Sequence, residues 1–205
     1  MDNDFELLDA WGAGDIHAGE QLFDRHFSSM YSFFRNKLPD AADDLVQQTF
    51  LACVESRDRF ARRSSFRTYL FATARNVLRH ELRKRGRGEA VGLDHQSIED
   101  LAPSATSLIA LDREKRLLLQ ALRRIPIDYQ IALELYHWES LTGPEIAEIL
   151  ELTVPGVRSR LRRANEALRA SLLHLAKDPA LVESTMARLS DWARAIRDRL
   201  AESSS

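Results

Sequence analysis

The sequence predicts an all-α protein: two small helical domains joined by a flexible linker, the second a helix-turn-helix, followed by a C-terminal amphipathic helix. Three observations predict this. Long stretches are rich in Leu, Ala, Arg and Glu, with apolar residues recurring every three or four positions. Gly and Pro are sparse, at 8 and 6 in 205 residues, so few positions interrupt a helix. The period lapses over residues 86–111, GRGEAVGLDHQSIEDLAPSATSLIAL, where Gly, Ser, Pro and acids mix as they do in linkers. The divisions are therefore residues 1–85, 86–111, 112–173 and 174–205.

In the first domain, Phe5 to Leu38 reads as one or two amphipathic helices, with Gly12-Ala13-Gly14 as a break and Asp15 as a cap. Asp40 to Ser56 forms the next helix. There Leu45, Val46, Phe50 and Cys53 pack, while Asp43, Asp44, Gln47 and Gln48 gather on an exposed side that suits a partner. The stretch RDRFARRSS is a basic loop around Phe60, with Arg62, Arg63 and Ser64, and its serines cap a helix that begins near Phe66. On that helix a polar stripe carries Thr68, Arg75, Asn76, Arg79 and Arg83, and three of its arginines are four residues apart. Basic groups beside an aromatic suit single-stranded nucleic acid, because any base stacks on a ring while the charges hold the backbone.

The second domain contains the most informative segment, Thr142 to Arg169. Thr142 caps a short helix, Pro144 falls where a missing N–H costs nothing, and Glu145 completes a capping box. Glu151-Leu152-Thr153 breaks the pattern, and Thr153 or Val154 with Pro155 starts a second helix reaching about Leu173. Val157, Leu161, Ala164 and Leu168 share a narrow apolar stripe, and Arg158, Ser159, Arg162, Arg163, Asn165 and Arg169 lie opposite it. The N-terminal part of such a helix meets base edges, which points to Arg158, Ser159 and Arg162 for readout and to Arg163 and Arg169 for phosphates. Arg160 falls near the packing stripe, as a structural residue would. Beyond it, Asp178-Pro179 starts a final helix over 179–201, with a stripe of Val182, Met186, Leu189, Ala193, Ile196 and Leu200 beside Trp192. That stripe needs a partner, either one of the chain's own domains or a regulator.

Composition narrows the function. The net charge of −2 hides a strongly basic stretch from Arg57 to Arg87 between acidic ones, and basic patches carry the nucleic-acid signal. One cysteine, Cys53, allows no internal disulfide and fits a reducing compartment. No signal peptide or long apolar span is present, so a cytoplasmic protein without membrane insertion is expected. The six histidines form no metal-ligand spacing and there is no Gly-rich phosphate loop; catalytic residues, metal, cofactor and small-molecule substrate are all expected to be absent.

Three motifs in order, DDLVQQTF (Asp43 to Phe50), SSFRTYLFATARNVLRHELRK (Ser64 to Lys84) and EIAEILELTVPGVRSRLRRANEAL (Glu145 to Leu168), resemble the bacterial RNA polymerase sigma factors of the extracytoplasmic-function class. The resemblance runs from about Phe5 to Leu173. It implies a protein that binds core RNA polymerase, directs it to a promoter DNA with minus-thirty-five and minus-ten elements, and helps melt the duplex. A dedicated anti-sigma protein is common among the proteins it resembles. It further implies that Asp44, Gln47 and Phe50, with their neighbour Gln48, meet core polymerase. The loop from Arg57 to Ser65 corresponds to the element that captures a flipped minus-ten base, and Arg75 with Asn76 to the family's Arg-Asn pair. Arg158, Ser159, Arg160 and Arg162 align with the minus-thirty-five helix. The chain departs from the family pattern at Pro155-Gly156 and at His80.

The linker bears on this reading, because promoter elements one and a half to two turns apart are separated by about 50 to 70 Å, whereas about 25 linker residues span about 28 Å relaxed and about 80 Å extended. The linker reaches only when drawn out, which predicts a compact or variable arrangement in the free protein. The competing reading is a helix-turn-helix regulator that binds duplex DNA without polymerase.

Overall fold

The computed structural model describes residues 3–57, 64–85, 97–98, 113–192 and 195. Among them the chain forms nine helices and no β-strand; Ser97 and Pro126 make an isolated antiparallel bridge.

The first domain holds α1 (Asn3–Gly12), α2 (Ile16–Arg35), α3 (Ala42–Ser56) and α4 (Phe66–Arg85). Gly14 turns the chain between α1 and α2 at φ 104°, a left-handed conformation that a side chain disfavours. Asp15 then caps α2, its carboxylate accepting from the His17 and Ala18 N–H groups. Buried Asp4 holds α1 to α2 by accepting from Arg25 and bonding His26 Nε2 at 2.7 Å. Ser65 caps α4 by accepting the Thr68 N–H at 3.2 Å.

The second domain holds α5 (Arg113–Arg124), α6 (Ile127–His137), α7 (Gly143–Leu150), α8 (Val154–Ala176) and α9 (Pro179–Ala187). The helix-turn-helix is α7 and α8. Glu145 reaches back to accept the Thr142 N–H at 2.8 Å, so the capping box predicted from sequence is formed. Glu151 ends α7 in the left-handed region, φ 57° and ψ 44°, and Thr153 caps α8 by accepting the Gly156 N–H. The second helix runs three residues past the predicted Leu173, to Ala176, where Lys177 closes it with positive φ.

Two apolar cores result. One joins Leu22, Phe34, Phe50 and Phe71 of the first domain to Ile131, Leu135, Ile146 and Leu150 of the second, with Ile98 also inside it. The other, within the second domain, joins Leu118, Leu122, Trp138, Leu168 and Leu172 to Val182 and Leu189. The C-terminal stripe therefore folds back on its own domain. It does so as two pieces rather than one long helix, because α9 stops at Ala187 and helix resumes only at 189–192; Ala193, Ile196 and Leu200 lie outside the described residues.

The domains meet across a buried polar network. Lys37, fully enclosed just after α2, pairs with Glu134 of α6 and donates to the Phe33 carbonyl at 2.7 Å. Asn36 and Gln130 each donate to Glu134 Oε1 at 2.9 Å, and Arg123 donates to the Asn36 carbonyl at 2.7 Å. A buried network of this kind fixes one relative placement, since its charged groups depend on one another for their partners. Burial pushes the Lys37 ammonium below its ordinary range while the facing carboxylate opposes that shift.

Candidate nucleic-acid and polymerase interfaces

Three faces carry the residues singled out by sequence. On α3, Asp44, Gln47 and Gln48 are exposed side by side, as the helical period requires once Leu45, Val46 and Thr49 turn inward. Phe50 does not join them. It is 1 % exposed, packed against the Trp11 and Phe23 rings, so its aromatic ring belongs to the core and offers no surface to a partner. Leu51 takes its place on the outer face at 55 % exposure, one helical step from Gln47 and Gln48. Sequence reasoning passed over Leu51 because an apolar residue on a mixed helix reads as core.

On α4 the polar stripe divides. Asn76 is exposed on the side facing α3, where it lines a groove of about 460 Å³ with Gln48, Ser56, Tyr69, Thr73 and His80. Tyr69 closes the floor, its hydroxyl donating to the Cys53 carbonyl at 3.1 Å and meeting the Ser56 hydroxyl at 2.6 Å. Burial raises the Tyr69 pKa and pushes the Cys53 thiol up to about 12, so both stay protonated and neither is a nucleophile at neutral pH. Arg75 points the other way, into the domain interface, and is 4 % exposed. Its Nη1 lies 3.4 Å from the Ile149 carbonyl and 3.6 Å from Glu151, and its Nε is enclosed without a hydrogen-bond partner. Arg75 and Asn76 therefore do not share one open face: successive helical residues point about 100° apart, and here α7 covers only one of them. Thr68 is likewise buried, whereas Arg79 is half-buried and Arg83 exposed. Ser64 donates to Glu148 at 2.5 Å. Phe60, Arg62 and Arg63 lie outside the described residues.

On α8, Arg158, Arg162 and Arg163 are exposed and Ser159 is half-exposed, while Val157, Ala164 and Leu168 are buried beneath them. Arg162 donates to Glu166 at 2.8 Å, an exposed pair one turn apart that a stronger anion readily displaces. Arg160 differs from its neighbours. Its guanidinium pairs with buried Asp128 at 3.2 Å and lies over the Tyr129 ring, tying α8 to α6. It is occupied within the domain, which corrects its assignment to the DNA face and agrees with its place near the packing stripe. Arg169, further along, pairs with Glu183 of α9.

Among the described residues no three His, Cys, Asp or Glu side chains converge as a metal site, and no helix is long and apolar enough to cross a membrane.

Comparison with known proteins accounts for both domains. Residues 22–88 match the Sigma-70 region 2 family and residues 115–168 match Sigma-70, region 4. RNA polymerase sigma-H factor of Pseudomonas aeruginosa is 26% identical over 191 residues, covering 87% of this chain and 98% of that protein. ECF RNA polymerase sigma-E factor of Haemophilus influenzae is 28% identical over 180 residues, covering 80% and 93%. Among solved structures, the sigma factor RpoE of Bartonella quintana, in complex with the anti-sigma factor NepR, superposes with a TM-score of 0.57 at 24% identity, covering 75% of this chain and 95% of that one, a likeness of fold. With two sigma-70 regions in order over more than half of its length, and with relatives that span most of it, the chain belongs to the sigma-70 family as an extracytoplasmic-function sigma factor, a protein that directs RNA polymerase to promoters.

Proposed function

We propose that this sigma factor divides its work among the three faces. Residues 1–85 dock on core polymerase through Asp44, Gln47, Gln48 and Leu51 of α3, and bind the minus-ten strand through Phe60, Arg62, Arg63 and Ser64 together with Asn76, Arg79 and Arg75. Residues 112–173 read the minus-thirty-five element through Arg158, Ser159 and Arg162, with Arg163 on phosphate, and 86–111 span the gap. The observation that carries this reading is the geometry of α8: a capped, buried-backed helix presents three outward arginines in its first three turns, where a groove-bound helix meets bases and phosphates.

The groove between α3 and α4 supports the minus-ten assignment, because its rim carries amide and hydroxyl groups suited to an unpaired base. The protein performs no covalent chemistry and works in the cytoplasm, where its polymerase is. An anti-sigma protein is a natural partner, as in the Bartonella quintana complex.

Transcription from a genomic-fragment library by purified core polymerase, with and without the protein, tests the assignment. New RNA starts that share a two-part upstream motif are expected. DNA binding by the protein alone, with no new starts, would overturn it.

A further inference from the structure

His80 is exposed at the rim of the groove between α3 and α4, one helical turn beyond Asn76, and Gln48 of α3 lines the same groove. Among the described residues these three side chains make no hydrogen bond or ion pair, so their polar atoms are open to a ligand. The hydroxyl groups of the groove are already committed to backbone carbonyls: Ser56 donates to Ala52, Tyr69 to Cys53 and Thr73 to Tyr69. They therefore turn only acceptor lone pairs towards a ligand. Ala72 and Val77 add apolar contact for the flat faces of a ring. No lining residue is an acid, a lysine or an arginine, so the cleft suits a neutral heterocycle better than a phosphate.

We infer that His80 is a specificity-determining residue of the minus-ten site, its imidazole donating to the carbonyl oxygen of a guanine or thymine held in the groove. The inference rests on the assignment of that groove to the minus-ten strand. Guanine and thymine present a carbonyl beside a ring N–H, whereas adenine and cytosine present an amino group beside a bare ring nitrogen, the reverse at both atoms. The hydroxyl oxygens accept the ring N–H of the first pair and find no hydrogen on the ring of the second. At the rim the Gln48 and Asn76 amides turn to suit either pair, which leaves the matching donor to His80; an imidazole donates from one nitrogen when neutral and from both when protonated. A base that leaves these groups unpaired on entering the cleft loses their hydration without replacement.

The test is transcription by the full chain with core polymerase from a barcoded promoter library randomised over the minus-ten element, the base preference being read by sequencing the transcripts. Wild type is expected to favour guanine or thymine at one position. His80→Ala is expected to reduce that preference about tenfold and to change the other positions less than about twofold. His80→Asp, whose carboxylate only accepts, should turn the same position towards adenine or cytosine. An equal loss with every base would mean that His80 meets phosphate and would overturn the inference. So would an unchanged preference, or a wild-type choice of adenine or cytosine at the position that His80→Ala alters. Asn76→Ala separates this role from the groove assignment: if it shifts the minus-ten preference and the His80 variants do not, only the role of His80 falls, whereas if none of these variants shifts it, the groove is not the minus-ten site.

Discussion

Lys37 and Glu134, 97 residues apart in sequence, form a buried ion pair that joins the two domains, with the ammonium fully enclosed and the carboxylate nearly so. Taking either charge out of water is costly, and only the partner and the surrounding hydrogen bonds offset that cost. Glu134→Ala therefore leaves the Lys37 charge stranded and should destabilise the chain by about 3–5 kcal/mol. The double variant Lys37→Met with Glu134→Leu should lose less than the sum of the two single changes. Urea denaturation of all four chains checks this, and additive losses would show that the residues do not act as a unit.

Arg158, Arg160 and Arg162 lie within five residues but should fail differently. Arg158→Ala or Arg162→Ala should lower discrimination at one promoter position by about 1–3 kcal/mol while leaving stability near wild type. Arg160→Ala, which removes the partner of buried Asp128, should lower the thermal midpoint instead. Competition binding with single-base-substituted minus-thirty-five duplexes, set beside thermal melts, distinguishes them. Equal losses on cognate and scrambled DNA for Arg158 or Arg162 would mean phosphate contact rather than readout.

Gln47 and Phe50 should likewise separate. Gln47→Ala should weaken association with core polymerase and leave both folding and the DNA affinity of the chain intact. Phe50→Ala opens a cavity beneath Trp11 and Phe23 and should cost about 3–5 kcal/mol of stability. A stable Phe50→Ala chain with selectively lost polymerase binding would return this ring to the docking surface.

His137 should make stability depend on pH. Burial holds its pKa down at about 4, against 6.5 ordinarily, with Nδ1 meeting the Ser190 hydroxyl at 2.8 Å and Nε2 enclosed without a partner. Between those values the unfolded chain binds more protons than the folded one. The stabilisation is therefore complete above pH 6.5 and is lost as pH falls towards 4. Because the ring is partly open to solvent, the loss from pH 7 to 5 should be about 1 kcal/mol. Urea midpoints at both pH values should fall further for wild type than for His137→Gln; parallel falls would remove His137 from the account.

The sequence by itself determined where the capped helices begin. Asp15, Ser65, Thr142 with Glu145, Thr153 and Asp178 are local signals, each satisfying N–H groups two or three residues away, so cap chemistry is readable without a fold. The helix-turn-helix, the outward arginines of α8 and the exposed acid and amide groups of α3 followed from the same local period. What surrounds a helix was decided by the tertiary structure alone. Period places Phe50 and Asp44 on α3 but does not say that Trp11 and Phe23 close over the one and leave the other open. Nor does it say that Asp128 takes Arg160, or that α7 covers Arg75 and leaves Asn76 beside an open groove. Those outcomes depend on side chains tens of residues away in sequence, within a domain for Phe50 and Arg160 and across the shared interface for Arg75. A residue's face is a property of its own helix, whereas its availability is a property of whatever packs against that face.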